Sequence, residues 1–288
     1  MTVRPLQGPS PSEPWAGPEG GIGEEASRFV AAVRQRRPLV HHFANFVTMQ
    51  AVANVTRAVG ALPVMALARD DAEQMAARAD ALVLNLGTPT PERLDAMAAA
   101  GAVAAARRIP IVLDPVGAGA TAYRDASARS LIERLPIAVV RANRGEAAAL
   151  LGESGRTHGV EAIVGGPADD GEALAARLAG QFRCVAAVTG ARDHVTGGTR
   201  RASVEHGHPW LEAVSGAGCM VTALVGVFCA VTDDHFRAAV AALTVFGVAA
   251  ERAARAAAGP GTLVPALLDA LYHLGAEHPR PAGRARGT

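Results

Sequence analysis

The sequence predicts an α/β fold, a three-layer sandwich with a mostly parallel central sheet flanked by helices on both faces. From about residue 38 onward, short apolar runs with β-branched residues alternate with alanine-rich stretches of helical pattern, the rhythm of successive βαβ units. These runs are apolar at consecutive positions, so strands built from them must be covered on both faces. At 288 residues, 50% of them hydrophobic, the chain can bury one large core.

The elements follow in order. Residues 1–22 are rich in Pro, Gly and Ser and predict a disordered N-terminal arm, after which a single domain is expected over 23–276. Strands are expected at 38–42 (Pro-Leu-Val-His-His) and 62–66 (Leu-Pro-Val-Met-Ala), with a helix at 47–59 between them. The run Ala-Leu-Val-Leu-Asn-Leu predicts a strand at 81–86, and the alanine-rich stretch after it a helix at 91–107. A strand at 109–114, a helix at 126–135, a strand at 137–141, a helix at 172–181 and a strand at 185–189 continue the alternation. Residues 195–204 differ, with Gly197-Gly198 between polar β-formers, and read as a hairpin at a sheet edge. Beyond Gly218 the chain is almost wholly helical to Leu274, and the Pro-, Gly- and Arg-rich end at 277–288 reads as a flexible tail.

Composition narrows the class of function. The net charge of +1 offers no electrostatic reason to bind nucleic acid or an anionic membrane, and a small neutral-to-anionic ligand fits better. No lysine occurs, so every fixed side-chain cation is an arginine, and a Walker A loop is excluded. The three cysteines, Cys184, Cys219 and Cys229, lack the spacing of a zinc site or a disulfide framework. His41-His42 and His206-Gly207-His208 lack metal-site spacing and read as structural or solvated. No apolar run approaches the roughly 20 residues of a membrane span, and the N-terminus does not resemble a secretory signal. A cytoplasmic location is the expectation.

The run Ser215-Gly216-Ala217-Gly218-Cys219 opens an uncharged helical stretch. Glycines let a ligand approach the main chain, and the helix start aims its unpaired N–H groups and the positive end of its dipole at the same point. Gly216, Ala217 and Gly218 therefore read as an anion hole with the Cys219 thiol beside it. The helix start would favour a thiolate and a bound phosphate would oppose it, so the ionisation stays open.

In a parallel sheet, ligands gather at the carboxyl ends of the strands. Asp114 ends one expected strand, Arg141 with Asn143 and Glu146 another, Thr189 with Asp193 a third, and Asn45 follows the first. Asp114 and Glu146 are hard oxygen ligands suited to Mg²⁺ shared with substrate phosphates, and Arg141 can fork two phosphate oxygens. With the glycine run, these groups suit phosphoryl transfer without a P-loop, a reaction driven by positioning and electrostatics.

At this point the chain resembles the hydroxyethylthiazole kinase family of ribokinase-like enzymes, over about residues 38–274. The motifs that carry the resemblance are PLVHHFANFVT, ALPVM, ALVLNLGT, LDPVGAGAT, the N-x-x-E of Asn143 to Glu146, VTG with Asp193, SGAGC and GPGT. The resemblance implies a ribokinase-like sandwich that phosphorylates 4-methyl-5-(2-hydroxyethyl)thiazole with ATP in thiamine salvage. It implies that Asn45, Met65 and Gly216 touch the thiazole, that Arg141 and Thr189 contact ATP, and that Asp114 and Glu146 serve Mg²⁺. It places Cys219 where most ribokinase-like relatives carry an aspartate as general base, and it implies a homotrimer. Three positions depart from the family pattern: Ala44 stands where Thr is usual, Ala142 where Gly is, and His206 where Asn is. A kinase for another alcohol, or a nucleotide-dependent NAD(P)H-hydrate dehydratase, would share the fold but carry Asp after the glycines. A silent binding protein would have no evident need for Asp114, Glu146 and Arg141 together.

Overall fold

The computed structural model describes residues 23–153, 157–158, 161–162 and 170–274. The arm expected at 1–22 and the tail expected at 277–288 lie outside the described residues.

The elements run α1 (Gly23–Arg36), β1 (Leu39–Phe43), α2 (Met49–Ala58), β2 (Leu62–Val64), α3 (Arg69–Ala76), β3 (Ala81–Asn85), α4 (Pro91–Arg107) and β4 (Ile111–Asp114). They continue as α5 (Ala122–Arg134), β5 (Val139–Asn143), α6 (Arg144–Leu150), β6 (Thr157–His158), β7 (Glu161–Ala162), α7 (Asp170–Phe182), β8 (Val185–Thr189), β9 (Asp193–Gly197) and β10 (Arg200–Val204). A 3-10 turn (Pro209–Ala213) leads into α8 (Ala217–Cys229), α9 (His235–Ala256) and α10 (Pro260–His273).

Among the described residues, eight strands form one sheet in the order β10-β9-β8-β5-β4-β3-β1-β2, and β6 pairs with β7 in a second, two-stranded sheet. Neighbours from β2 to β8 are parallel, and the β9–β10 hairpin adds an antiparallel edge, as the Gly197-Gly198 signal predicts. Alternate strand residues feed two cores. Val40, Val83, Val112, Val139 and Ala187 face α1, α2 and α8 to α10. Leu82, Leu84, Ile111, Leu113 and Val140 face α3 to α7. The three-layer expectation is met.

Side-chain size differs between the two faces, and this positions the site. The α8 side of the sheet carries Val and Ala, and every residue of α8 from Met220 to Cys229 is buried. Gly226 lies against the Val83 side chain so closely that a Cβ there would collide with it. A helix without bulk at this point can sit directly over the middle strands, with its N-terminus at their carboxyl ends.

Several boundaries move. β2 stops at Val64, so Met65 follows the strand instead of lying within it. β5 runs on to Asn143, which puts Arg141 inside the strand. α5 begins at Ala122 because the Thr121 hydroxyl caps it, accepting from Arg124 N at 3.3 Å. Helices α1 and α3 were not anticipated. Only Ala72 and Ala76 of α3 are buried, so that helix has no apolar stripe to read.

Candidate active site

The chain passes from β1 outward to β2 and then returns to β3 on the other side of β1. The segments leaving β1 and β3 consequently depart to opposite faces, α2 to one core and α4 to the other. That divergence opens a crevice at the carboxyl ends of β1 and β3, the place where open α/β sheets bind ligands. Asn45 follows β1, Asn85 ends β3, and α8 begins across from both.

Gly216 is the N-cap of α8 at φ 88°, with no side chain to satisfy the first-turn N–H groups. A Cβ on Gly216 would collide with the Thr48 methyl, and one on Gly218 would lie 2.5 Å from Arg141 Nη1. The glycines thus make room for neighbouring side chains as well as for a ligand.

A continuous polar chain crosses this end of the sheet. Cys219 Sγ accepts from Asn45 Nδ2 at 3.3 Å and from Asn85 Nδ2 at 3.2 Å. Asn45 Nδ2 also donates to Asn85 Oδ1 at 3.0 Å, and Asn85 Nδ2 to Asp114 Oδ2 at 2.9 Å. The Thr222 hydroxyl, one turn into α8, donates to the same Asp114 oxygen at 2.8 Å. Parallel register sets Asn85 beside Asp114 and Asn143 beside Thr189. Arg141 Nη2 donates to the Thr189 hydroxyl. Glu146 and Asn143 form a capping box at the start of α6, and Glu146 Oε1 also accepts from Gly117 N at 2.9 Å. Asp193 accepts from Gly190 N at 3.0 Å.

Asp114 is fully buried, and among the described residues its Oδ1 has no hydrogen-bond partner. Burial raises its pKa, against the lowering field of Arg141. Burial, and then the Asp114 charge, push Glu146 up to about 7. Asp193 is pushed up to about 6 by burial. A buried carboxylate oxygen without a donor, in a site that disfavours its charge, is suited to a cation. Mg²⁺ takes one or two carboxylates and completes its shell with water and phosphate, so this donor set fits it. Asp114 Oδ1 is the free ligand atom. Each Glu146 oxygen already accepts a backbone N–H, which suits contact through water.

Burial, and then the Asp114 charge, raise the Cys219 pKa above its ordinary value, so the thiol is protonated at neutral pH. The hydrogen bonds of Thr48 and Asn85 and the Arg141 charge act in the opposite direction and do not overcome these two effects.

The structure therefore brings together Asn45, Asp114, Arg141, Glu146, Thr189, Gly216, Ala217, Gly218 and Cys219. Met65 follows the edge strand β2, half-buried and packed against the α8-side core. Asn85 and Thr222 belong to the site and were not singled out from the sequence. Each left a trace: Asn85 is a polar residue ending a fully buried strand, and Thr222 is a buried hydroxyl in a helix without charge. His41 and His42 are structural, His41 Nε2 meeting Ala66 O at 2.9 Å and His42 Nε2 the Thr56 hydroxyl at 3.2 Å. His206 pairs with Glu251, and His208 caps the 3-10 turn.

Comparison with known proteins gives a consistent picture. Residues 30–277 match the model of the hydroxyethylthiazole kinase family. The chain is 51% identical over 252 residues to hydroxyethylthiazole kinase of Chloroflexus aggregans, covering 88% of this chain and 90% of that protein. The solved structure of hydroxyethylthiazole kinase from Pyrococcus horikoshii is similar at a TM-score of 0.79 and 42% identity, covering 86% of this chain and 92% of that one. A ribokinase-like superfamily protein from Enterococcus faecalis shares the fold at a TM-score of 0.55 and 11% identity, covering 82% of this chain and 87% of that one.

Proposed function

This chain belongs to the hydroxyethylthiazole kinase family, and from that premise we propose that it transfers the γ-phosphoryl group of ATP to the primary hydroxyl of 4-methyl-5-(2-hydroxyethyl)thiazole, a step of thiamine salvage. The observation that carries the reading is the convergence of the α8 N-terminus, the Cys219 thiol and the Asp114 carboxylate on one crevice, joined through Asn85.

Each residue has a part in this reading. Asn45, Met65 and Gly216 bind the thiazole, and the hydroxyethyl arm lies against Cys219. Arg141 and Thr189 hold ATP, the guanidinium forking phosphate oxygens while the Thr189 hydroxyl steadies it. The N–H groups of Gly216, Ala217 and Gly218, with the dipole of a 13-residue helix behind them, meet the negative charge of the transferring group. Asp114 and Glu146 hold Mg²⁺, which when bound screens phosphate charge and orients the chain of phosphates. Cys219, protonated in the free protein, holds the attacking hydroxyl in line. Little base strength is required if the hydroxyl proton is lost late, to an oxygen of the transferred phosphoryl group, as in a loose transition state. A homotrimer in the cytoplasm completes the reading. Among the described residues, no helix is long and apolar enough to cross a membrane.

ADP release with Mg·ATP, compared across the thiazole alcohol, hydroxymethylpyrimidine and ribose, tests the assignment. Turnover of the thiazole alcohol well above the other two is expected. Turnover of only another alcohol would overturn it.

A further inference from the structure

We infer that Asn85 is a positioning residue for phosphoryl transfer: together with Asn45 it orients the Cys219 thiol so that its S–H points into the crevice. The kinetic consequence rests on the kinase reading above, whereas the geometry does not.

The orientation of both amides is dictated by the backbone. Asn85 Oδ1 accepts from Gly87 N at 3.0 Å and from Asn45 Nδ2 at 3.0 Å, so Nδ2 must be the atom facing Asp114 and Cys219. Asn45 Oδ1 accepts from Val47 N at 3.0 Å and Thr48 N at 3.1 Å, so its Nδ2 must face Asn85 and Cys219. Flipping either amide would set N–H groups against N–H groups. Gly87 keeps the pair close, because a Cβ there would lie 2.6 Å from Asn45 Cβ.

Every amide hydrogen is then accounted for. One hydrogen of Asn85 goes to Asp114 and the other to the sulfur; one of Asn45 goes to Asn85 and the other to the sulfur. Both amides are buried, at 3% and 4% exposure, where an unpaired N–H is costly. The sulfur is the acceptor that completes the network. With the two amide donors occupying its lone pairs, its own hydrogen points away from them, to the side where the Thr48 side chain and the glycine loop lie. Cys219 therefore presents a donor to the substrate oxygen, and Asn85 decides that direction.

Two measurements test this, one of them independent of substrate. The S–H infrared stretch of Cys219, identified by its loss in Cys219→Ala, is expected to shift in Asn85→Ala; an unmoved band would overturn the inference. A double-mutant cycle on kcat supplies the second reading. Any effect of Asn85 through Asp114 persists when the thiol is gone and cancels in the ratio of the two losses. The kcat loss from Asn85→Ala is expected to be about threefold or more larger with Cys219 present than in Cys219→Ala. A smaller ratio would show a merely structural role. Should Asn85→Ala not fold, Asn85→Ser removes the same donors. If wild-type protein phosphorylates none of the alcohols, the kinase reading fails while the infrared result still decides the geometry.

Discussion

Cys219 combines two properties ill suited to a general base: its pKa is raised, and its sulfur already accepts two amide hydrogens. Both argue for a group that positions rather than one that removes a proton. A carboxylate in its place would accept the same two donors and also take a proton readily at neutral pH. Cys219→Asp is therefore expected to retain phosphorylation or raise it by up to about tenfold, read as kcat in the ADP-release assay. Complete loss with an intact fold would show that the thiol does something a carboxylate cannot. Arg141 makes a second case. Losing a charged donor to phosphate costs roughly 1.5–3 kcal/mol, so Arg141→Ala should weaken ATP about tenfold or more while thiazole affinity changes little. Calorimetry with each ligand separately checks this, and unchanged ATP affinity would contradict the assignment.

Helix α8 and the ends of β1, β3, β4 and β5 form the frame on which those side chains act. The helix can aim its N-terminus at the strand ends because Gly226 lets it lie on Val83. Gly226→Ala forces a methyl group into that contact, and overpacking of this kind typically costs 1–3 kcal/mol. A lower denaturation midpoint is expected, with kcat falling more than the KM for ATP, since α8 carries Cys219 whereas Arg141 stands on β5. A variant as stable and as active as wild type would show that the contact yields freely. At this scale the sequence was informative where pattern is strong. The buried strands and the α4 helix stood out as runs of apolar or alanine-rich residues. Helix α3 did not, because its stability comes from packing two alanines against α4 and the core rather than from an apolar stripe.

For the whole molecule, the buried histidine under the sheet end sets an acid limit. His42 is fully buried, and burial, with His41 beside it, lowers its pKa to about 3. The folded state thus holds it neutral, while the unfolded chain protonates near 6.5. Its contribution to stability is present above pH 6.5 and is lost as pH falls toward 3, at about 1.4 kcal/mol per unit. The raised carboxyls Glu146 and Asp193 act oppositely, favouring the fold as pH falls through about 7 and 6. They are common to wild type and His42→Gln, so they cancel in the difference. Between pH 7 and 4.5 wild type should lose roughly 2–3 kcal/mol more than the variant in denaturant titrations. Parallel curves would mean that His42 takes up its proton at an ordinary pH within the fold. The alternation of strands and helices, the edge hairpin, the glycine run and the acids and arginine at strand ends were all legible along the chain, because each depends on neighbours within a few residues. Folding alone decided that Asn85 stands between Asp114 and Cys219, that Thr222 reaches across from α8, and that the thiol stays protonated. Hydrogen bonds between residues 29 to 134 positions apart, and the burial that shifts a pKa, arise only when register and packing bring distant segments together.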